Sequence, residues 1–515
     1  MVAGKLHVVA GTAEKLFLKL ADETAQDLDY VDTYILNHTA FTASTEFLEN
    51  LMARFHLEAL PGEAEYFKKW QHCIQVKVLN VISRWVKLQY QDFRITPVLQ
   101  TRLEAFLNGD IKRAGFTNEA NMIKEALDLQ MARHARQRHS LVALTSHSLA
   151  SFGSSGSSSS NFNNNNSSAV LPMSPSSPPT PSSLVGSPPF QRRPSTTTIS
   201  TTPSSYLFSF VSTPPSSPTS LSTPTSTTSF SSALAALPIY SSSSQLLSLE
   251  ARDVARYLTL ADFYTLKCIT SYDYLCGQWR RNAASGGDDG YIGMMTRRAN
   301  MLTHWIPHEL LAVKTTKQRR SVLRKLIEIS KLCLEWNNFH TSMVITMALT
   351  SAPVQKLGQE VWESLPSRDM NTFAMLKRYL DVSNNMAYYR QALTKSTTAV
   401  KKAAAPAVPF FPLVLKDLTF YSDGNRTTYA DDLINFSKFR TLTQFVHQIV
   451  DYTNENYWFA GDLEHLAFFS EKSHYQPSCT AGPLDHVAEI IEHALRAVAD
   501  CCDDPHCETR LLAQL

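Results

Sequence analysis

The sequence predicts an all-α protein made of two helical modules, and three observations support this prediction. Apolar residues recur at spacings of three and four along the segments on both sides of a central tract, as in helices that bury one face. Alternation with period two, which marks half-buried strands, is rare. The central tract is rich in serine, proline and asparagine, and it divides the chain in two.

The N-terminal module, residues 1–135, is predicted to be helical. Its two clearest apolar stripes have helical spacing and consist of Leu48, Leu51, Met52 and Phe55, followed by Val78, Val81, Ile82, Trp85 and Leu88. Each stripe predicts a helix that packs one side against a common core.

Residues 136–245 are predicted to form a disordered linker. From 151 to 245 the only charged residues are Arg192 and Arg193, and aliphatic residues are few. Such a segment cannot bury enough apolar surface to offset the entropy of ordering its backbone. The linker contains several Ser-Pro and Thr-Pro steps, and RRPS makes Ser195 a candidate phosphorylation site for a basophilic kinase. The alternative is that a Ser/Pro tract supplies such dipeptides by composition alone.

The second module, residues 246–475, is also predicted to be helical, and 476–515 to hold a C-terminal helix and a cysteine-rich tail. SVLRKLIEISKLCLEW carries a wide apolar stripe, which predicts a helix packed between others. The next segment, SMVITMALTSAPV, is apolar nearly all round and predicts a central helix. PLVLKDLTFY fits either a short strand or one turn of helix.

Composition and motifs exclude several classes of protein. A net charge of +2 argues against a nucleic-acid binder. There is no apolar run long enough to span a membrane, and Glu14 and Lys15 interrupt the start of the chain, so we expect a cytoplasmic protein without a signal peptide. No P-loop or zinc-protease motif is present, and CCDDPHC at 501–507 reads better as a reduced tail than as a metal site.

Six segments of the second module form an ordered set of motifs. In chain order they are ARDVARYLTLADFYTLKCIT from Ala251, RRANMLTHWI from Arg297, EWNNFHTSMVITMALTSAPVQKL from Glu335, NNMAYYRQAL from Asn384, VPFFPLVLKDLTFYSDG from Val408 and LINFSKFR from Leu433. Together they resemble the motifs of the Ras guanine-nucleotide exchange factors (RasGEFs). In the first module, TYILNHTAFTASTEFL and IQVKVLNVISRWVKLQYQDF resemble the Ras exchanger motif that accompanies the catalytic domain in this family. The resemblance covers most of the two predicted modules.

The resemblance implies a protein that promotes GDP release from a Ras-like small GTPase of the Ras, Rap or Ral class. It implies no cofactor, no metal and no covalent chemistry, and it implies recruitment to the membranes where the GTPase resides. The alternative is a scaffold that binds a GTPase without discharging it.

The resemblance also implies site residues. Thr419 and Asp423 match the two positions that enter the GTPase's Mg²⁺ and phosphate sites, and Asp423 stands where the family usually has glutamate. Contacts to the GTPase are implied for Arg297, Asn300, Met343, Thr350, Asn385 and Tyr389. In VPFFPLVLKDLTFYSDG we interpret Phe410, Phe411, Leu413, Leu415 and Leu418 as anchors that hold the segment to the domain. In the earlier segment EWNNF we interpret Asn337, Asn338 and Phe339 as structural residues.

Overall fold

Helices form the architecture of this computed structural model, which describes residues 7–22, 26–57, 64–146, 244–277, 290–357, 359–398, 405–462 and 484–499. Within these ranges there are no named strands, only isolated bridges. The prediction of an all-α protein is confirmed. Residues 7–140 and 244–499, where described, form one compact unit, and 141–146 belong to a second unit of which nothing else is described.

Seven α-helices belong to the part of the N-terminal module that the structure describes. They are α1 Ala13–Leu18, α2 Leu28–Asn37, α3 Ser44–Phe55, α4 Ala64–Leu88, α5 Gln91–Ile95, α6 Pro97–Phe106 and α7 Thr117–Ser146. Thr12 and Asp27 accept backbone hydrogen bonds at the starts of α1 and α2, and Pro97 fits the first turn of α6, where no amide partner is needed.

The second module contains twelve α-helices within the described ranges. They are α8 Ala251–Cys268, α9 Ser271–Leu275, α10 Gly290–Ala312, α11 Thr316–Glu335, α12 Phe339–Thr350, α13 Ala352–Gln355, α14 Gln359–Glu363, α15 Ser367–Lys377, α16 Ser383–Thr398, α17 Phe411–Asp423, α18 Phe436–Asp451 and α19 Asp485–Ala497.

The core of the second module is built around α12. Residues 339–349 of this helix are all buried, and α8, α10, α11 and α15 pack against it. This confirms the central helix that the sequence predicts, and the wide stripe of α11 is buried as expected. The C-terminal helix α19 packs on α8 and α10 and contributes Val487, Ile491 and Leu495 to the same core.

The Asn338 side chain joins two helices of this core, α12 and α8. Its Oδ1 accepts a hydrogen bond from the backbone amide of Thr341 and caps α12, while its Nδ2 donates to Thr259 and Asp262 of α8. Asn337 has a positive φ of 59°, a conformation that asparagine tolerates, and its carbonyl accepts from the amide of Val408. The Asn337 side-chain amide donates to the Pro406 carbonyl at 3.3 Å, so both side-chain amides make structural hydrogen bonds, as predicted.

The two modules share a core. Phe436 is fully buried at the start of α18 and stacks on Tyr30 of α2, with ring centroids 4.6 Å apart. Gly11 and Ile434 exchange backbone hydrogen bonds of 3.2 and 2.9 Å, and Asn37 donates to the hydroxyl of Thr443 at 2.9 Å. The N-terminal module therefore packs directly against α18, the neighbour of α17.

The segment around Leu413 is longer than the sequence suggested. The choice between a short strand and one turn of helix is wrong, because 411–423 form a helix of three turns. Pro412 lies in its first turn, where proline's fixed φ and missing amide proton are tolerated. Helix α7 runs to Ser146 and therefore includes 136–146, the first residues of the predicted linker. Residues 147–243 lie outside the described residues.

Candidate functional site

Helix α17 has a buried base and an exposed tip. Phe410, Phe411, Leu413 and Leu418 are at most 2% exposed, and Leu415 packs against the same core. At the other end Phe420 is 69% exposed and Asp423 is exposed. The anchors named from the sequence are confirmed, and the helix presents its last turn to the outside.

Two side chains of α16 hold the base of α17. The hydroxyl of Tyr389, itself buried, accepts a hydrogen bond of 2.8 Å from the amide of Phe410, the residue that caps α17. Arg390 makes a two-pronged contact with the Asp417 carboxylate, at 2.8 and 2.9 Å. Paired, nearly parallel contacts of this kind fix orientation as well as distance. Helix α17 is thus clamped to α16 at two points.

Helix α12 supplies a third contact to the base. The Nδ1 atom of His340 accepts a hydrogen bond of 3.4 Å from the amide of Phe411. Burial lowers the pKa of His340, and Arg298 lowers it further although Asp262 opposes this. A neutral imidazole with an unprotonated Nδ1 is the form that can accept this bond.

The tip is shaped by Thr419 and Gly424. The Thr419 hydroxyl donates to the carbonyl of Leu415 at 2.9 Å, and the residue is half-buried. Gly424 ends the helix, with its amide donating to the Phe420 carbonyl at 2.8 Å. A Cβ at Gly424 would lie 2.6 Å from that carbonyl oxygen, so only glycine fits directly after Asp423.

Thr419 and Asp423 lie one helical turn apart on α17. Residues at this spacing are neighbours on one face of a helix. The last turns of α17 therefore carry Thr419 and Asp423 on one face, and the exposed Phe420 follows Thr419 in the chain.

The remaining predicted contact residues lie on helices that adjoin α17 or α12. Arg297 is exposed on α10 and Asn300 is half-buried there, with an Oδ1 that has no hydrogen-bond partner among the described residues. Thr350 is half-buried at the end of α12, and its hydroxyl donates to the Met347 carbonyl. Met343 is only 1% exposed, so in this conformation it belongs to the core and offers no surface to a partner.

Asn385 lies in an unusual turn at the start of α16. Asn384, Asn385 and Met386 have φ values of 50°, 57° and 59°, three consecutive residues in the left-handed region. Asparagine tolerates this region, but methionine is strained there, so surrounding contacts must hold the turn. Arg390 does so by donating to the Asn385 carbonyl at 2.8 Å, and Met386 is buried. The side chain of Asn385 is left exposed.

A partly buried charge network links α10 to α8 and α19. Arg298 pairs with Glu492 of α19 and lies 3.7 Å from Asp262 of α8. Although burial opposes it, Arg298 lowers the pKa of the Glu492 carboxyl. Because the Arg298 guanidinium is largely covered, loss of Asp262 or Glu492 would leave its charge poorly compensated, so the network ties α10, which carries Arg297 and Asn300, to α8 and α19.

The described residues contain no group of three or more His, Cys, Asp or Glu side chains that could hold a metal ion. Nor does any helix in these ranges have the length and apolarity needed to cross a membrane. Ser195 and the CCDDPHC segment lie outside the described residues.

Sequence reasoning missed His340, Arg390 and Asp417 as residues that position α17. Arg390 and Asp417 lie in segments already singled out, but nothing in a single sequence indicates that the two side chains pair. Phe420 was also missed, although an aromatic residue between two proposed tip residues was a usable signal.

These features define a class of protein, namely an all-α molecule in which an N-terminal module packs against α18 and the neighbouring helix, α17, is anchored at its base and exposed at its tip. Comparison with known families matches residues 7–106 to the RasGEF N-terminal motif and residues 253–440 to the RasGEF domain. Together the two matches cover more than half of the chain. The chain therefore belongs to the RasGEF family, with the N-terminal motif preceding the domain.

Named relatives are similar over different shares of the chain. Ras guanine nucleotide exchange factor J of Dictyostelium discoideum is 23% identical over 88% of this chain and 45% of its own length. Rap guanine nucleotide exchange factor 6 of Homo sapiens is 29% identical over 47% of this chain and 14% of its own. Rap guanine nucleotide exchange factor 3 of Rattus norvegicus is 31% identical over 41% and 22%. The chain spans less than half of the length of these relatives.

Proposed function

We propose that this protein is a guanine-nucleotide exchange factor that promotes GDP release from a Ras-like small GTPase. The observation that carries the proposal is the design of α17, a helix clamped at Phe410 and Asp417 whose far end presents Thr419 and Asp423. Membership of the RasGEF family and relatives named as Ras and Rap exchange factors support it.

The proposed mechanism is a competition for the nucleotide site. A Ras-like GTPase holds GDP with backbone amides around the phosphates, a P-loop lysine and Mg²⁺. A protein that binds the nucleotide-free state more tightly than the nucleotide-bound state must, by linkage, weaken nucleotide binding by the same factor. No covalent bond needs to form or break.

In this proposal the tip of α17 supplies the two groups that the competition requires. The Thr419 methyl group is the apolar element that displaces the hydrated metal ion, and the Asp423 carboxylate replaces a phosphate at the P-loop. The exposed Arg297 and Asn385, together with Asn300 and Thr350, would contact the switch regions that are moved aside. A firmly held base matters because a helix already fixed in its binding position loses less conformational entropy when its tip enters the partner.

The experiment is release of a fluorescent GDP analogue from purified Ras, Rap and Ral GTPases, with excess unlabelled GDP and catalytic amounts of this protein. Acceleration for at least one GTPase, with EDTA-induced release as the positive control, supports the proposal. Binding to a nucleotide-free GTPase without any acceleration would instead support a GTPase-binding scaffold, a reading that the short Asp423 carboxylate favours. Recruitment to membranes is part of the same proposal and calls for the assay to be repeated with lipidated GTPase on vesicles.

A further inference from the structure

The start of α11 and the loop before it are strongly basic. Residues 310–327 contain six basic side chains and no acidic one, although the whole chain has a net charge of only +2. The six are Lys314, Lys317, Arg319, Arg320, Arg324 and Lys325. Nothing in the proposed exchange mechanism uses this concentration of positive charge.

Three of the six basic side chains have partners within the second module. Arg324 pairs with Asp369 of α15 at 2.7 Å. Lys325 donates to three backbone carbonyls of 246–249, and Arg319 donates to a backbone carbonyl of the loop before α11. These contacts tie α11 to its neighbours and account for the three residues structurally.

The other three side chains form a surface that we call the basic patch: Lys314, Lys317 and Arg320. Lys314 and Lys317 are exposed and Arg320 is half-buried, and none of them forms an ion pair with a described residue. Glu360 and Glu363 of α14, a helix that packs against α11, are not paired with them either. No carboxylate of the described residues therefore neutralises the basic patch by direct contact.

The residues of the basic patch are neighbours at one end of α11. Lys317 and Arg320 are three residues apart on this helix, a spacing that places them side by side, and Lys314 precedes the helix by two residues. The hydroxyl of Thr315 caps the helix by accepting a hydrogen bond of 3.2 Å from the amide of Gln318. The helix dipole adds positive potential at this end, so cations here are unfavourable for helix stability. The stability of α11 therefore does not explain the basic patch.

The position and charge of the basic patch favour a flat anionic partner. The patch lies on the outer side of a helix start, beside the exposed and polar Thr316 and Ser321. A convex basic surface of this kind can contact several lipid headgroups at once, and each Lys or Arg near an anionic membrane strengthens binding about fivefold. An acidic peptide is the alternative partner for the same charge.

We propose that the basic patch binds the surface of a membrane that contains anionic lipids such as phosphatidylserine. This inference deepens the recruitment to membranes that belongs to the proposed function, because it assigns the contact with lipid to named residues. Lipid binding can be measured without any GTPase. A failure of lipid binding and a failure of GDP release are therefore distinguishable.

The experiment is sedimentation of the full chain with two kinds of vesicle, one of phosphatidylcholine alone and one of phosphatidylcholine with phosphatidylserine. We expect the wild-type protein to bind the anionic vesicles much more tightly than the neutral ones. Because the attraction is electrostatic and occurs at an exposed surface, binding should weaken steadily as salt is added.

Charge reversal at the basic patch tests the assignment. The patch variant carries Lys314→Glu, Lys317→Glu and Arg320→Glu. Loss of three basic residues, at about fivefold each, should weaken binding to the anionic vesicles at least about 100-fold.

A matched control reverses three exposed lysines of the N-terminal module that form no ion pair with a described residue. The control variant carries Lys87→Glu, Lys112→Glu and Lys124→Glu. It has the same net charge as the patch variant, so its binding should stay close to that of the wild type if the basic patch is the contact surface. Thermal unfolding of both variants checks that they are folded.

Four results would overturn the proposal. They are equal binding of the wild type to neutral and anionic vesicles, binding of the patch variant as tight as that of the wild type, equal loss in the patch and control variants, and binding that does not respond to salt. Retention of the wild type on an immobilised phosphopeptide, without binding to anionic vesicles, would also overturn it and would assign the basic patch to an acidic peptide. The lipid comparison and the salt titration decide the matter on the wild-type chain even if the patch variant fails to fold.

Discussion

The hydroxyl oxygen of Tyr389 lies 2.8 Å from the backbone nitrogen of Phe410 and accepts its hydrogen bond. Both residues are buried, at 2% and 0% exposure. Phe410 is the cap of α17, so this single contact links the strained start of α16 to the helix whose tip we propose to enter the GTPase. Tyr389 therefore acts as a positioning residue.

Replacing Tyr389 with phenylalanine removes the acceptor and leaves the Phe410 amide buried without a partner. We expect the free energy of unfolding to fall by about 1–3 kcal/mol. GDP release should slow as well, because the base of α17 is less firmly held. Urea unfolding and the release assay measure the two effects. Tyr429→Phe, which removes an exposed hydroxyl, is the control, and equal effects of the two variants would contradict the assignment.

Phe436→Ala tests the shared core of the two modules. Removal of this fully buried ring, which stacks on Tyr30, should lower the free energy of unfolding by about 3–5 kcal/mol. Phe420→Ala is the matched control, because its ring is 69% exposed and its loss should change stability by no more than about 0.5 kcal/mol. If Phe436→Ala proves as mild as Phe420→Ala in denaturant titrations, α18 is not supported by the N-terminal module.

His340 makes stability depend on pH. Burial lowers its pKa in the folded state, whereas the unfolded chain has a value near 6.5. The unfolded state therefore binds more protons below about pH 6.5, and the free energy of unfolding falls as pH decreases from 7 to 5.

The variant His340→Asn, which keeps an acceptor for the Phe411 amide, should lose as much as about 1.4 kcal/mol per pH unit of that slope. Urea titrations at pH 7, 6 and 5 measure it, with the exposed His56→Gln as control. A slope equal to that of the wild type would show that His340 does not contribute.

Thr419 can be tested with a pair of conservative changes that separate its methyl group from its hydroxyl. Its hydroxyl is already bonded to Leu415, so the methyl group is the part proposed to act. Thr419→Ser removes the methyl group and should slow GDP release more than Thr419→Val, which keeps a methyl group at that position. The opposite order in the release assay would assign the role to the hydroxyl.

The sequence predicted the fold class and most buried faces, because helical periodicity is a local property of the chain. Trp85, Leu326 and Phe411 are buried where their spacing or setting indicated. It failed at 411–423, where the run of apolar residues with Pro412 suggested a short element, although proline at the first turn permits a longer helix.

What the sequence could not indicate was contact between distant residues. The pairing of Arg390 with Asp417, the acceptor role of His340 and the stacking of Tyr30 on Phe436 all depend on how helices are arranged. The resemblance to RasGEFs named Tyr389 as a GTPase contact, whereas its burial and its bond to Phe410 place it behind the surface. The resemblance indicated which residues belong to the site. The structure adds which of them are exposed on the surface and which are buried and support it.

The most direct test of the proposed mechanism is the rate of GDP release with Asp423→Ala, measured on the GTPase that responds best to the wild type. Asp451→Ala, at an exposed carboxylate at the end of α18, is the control. Loss of a charged hydrogen-bonding group is worth about 1.5–3 kcal/mol, so release should slow about 10- to 100-fold while thermal unfolding is unchanged. Asp423→Glu should retain far more of the rate than alanine. An Asp423→Ala variant that is as fast as the wild type would contradict the account.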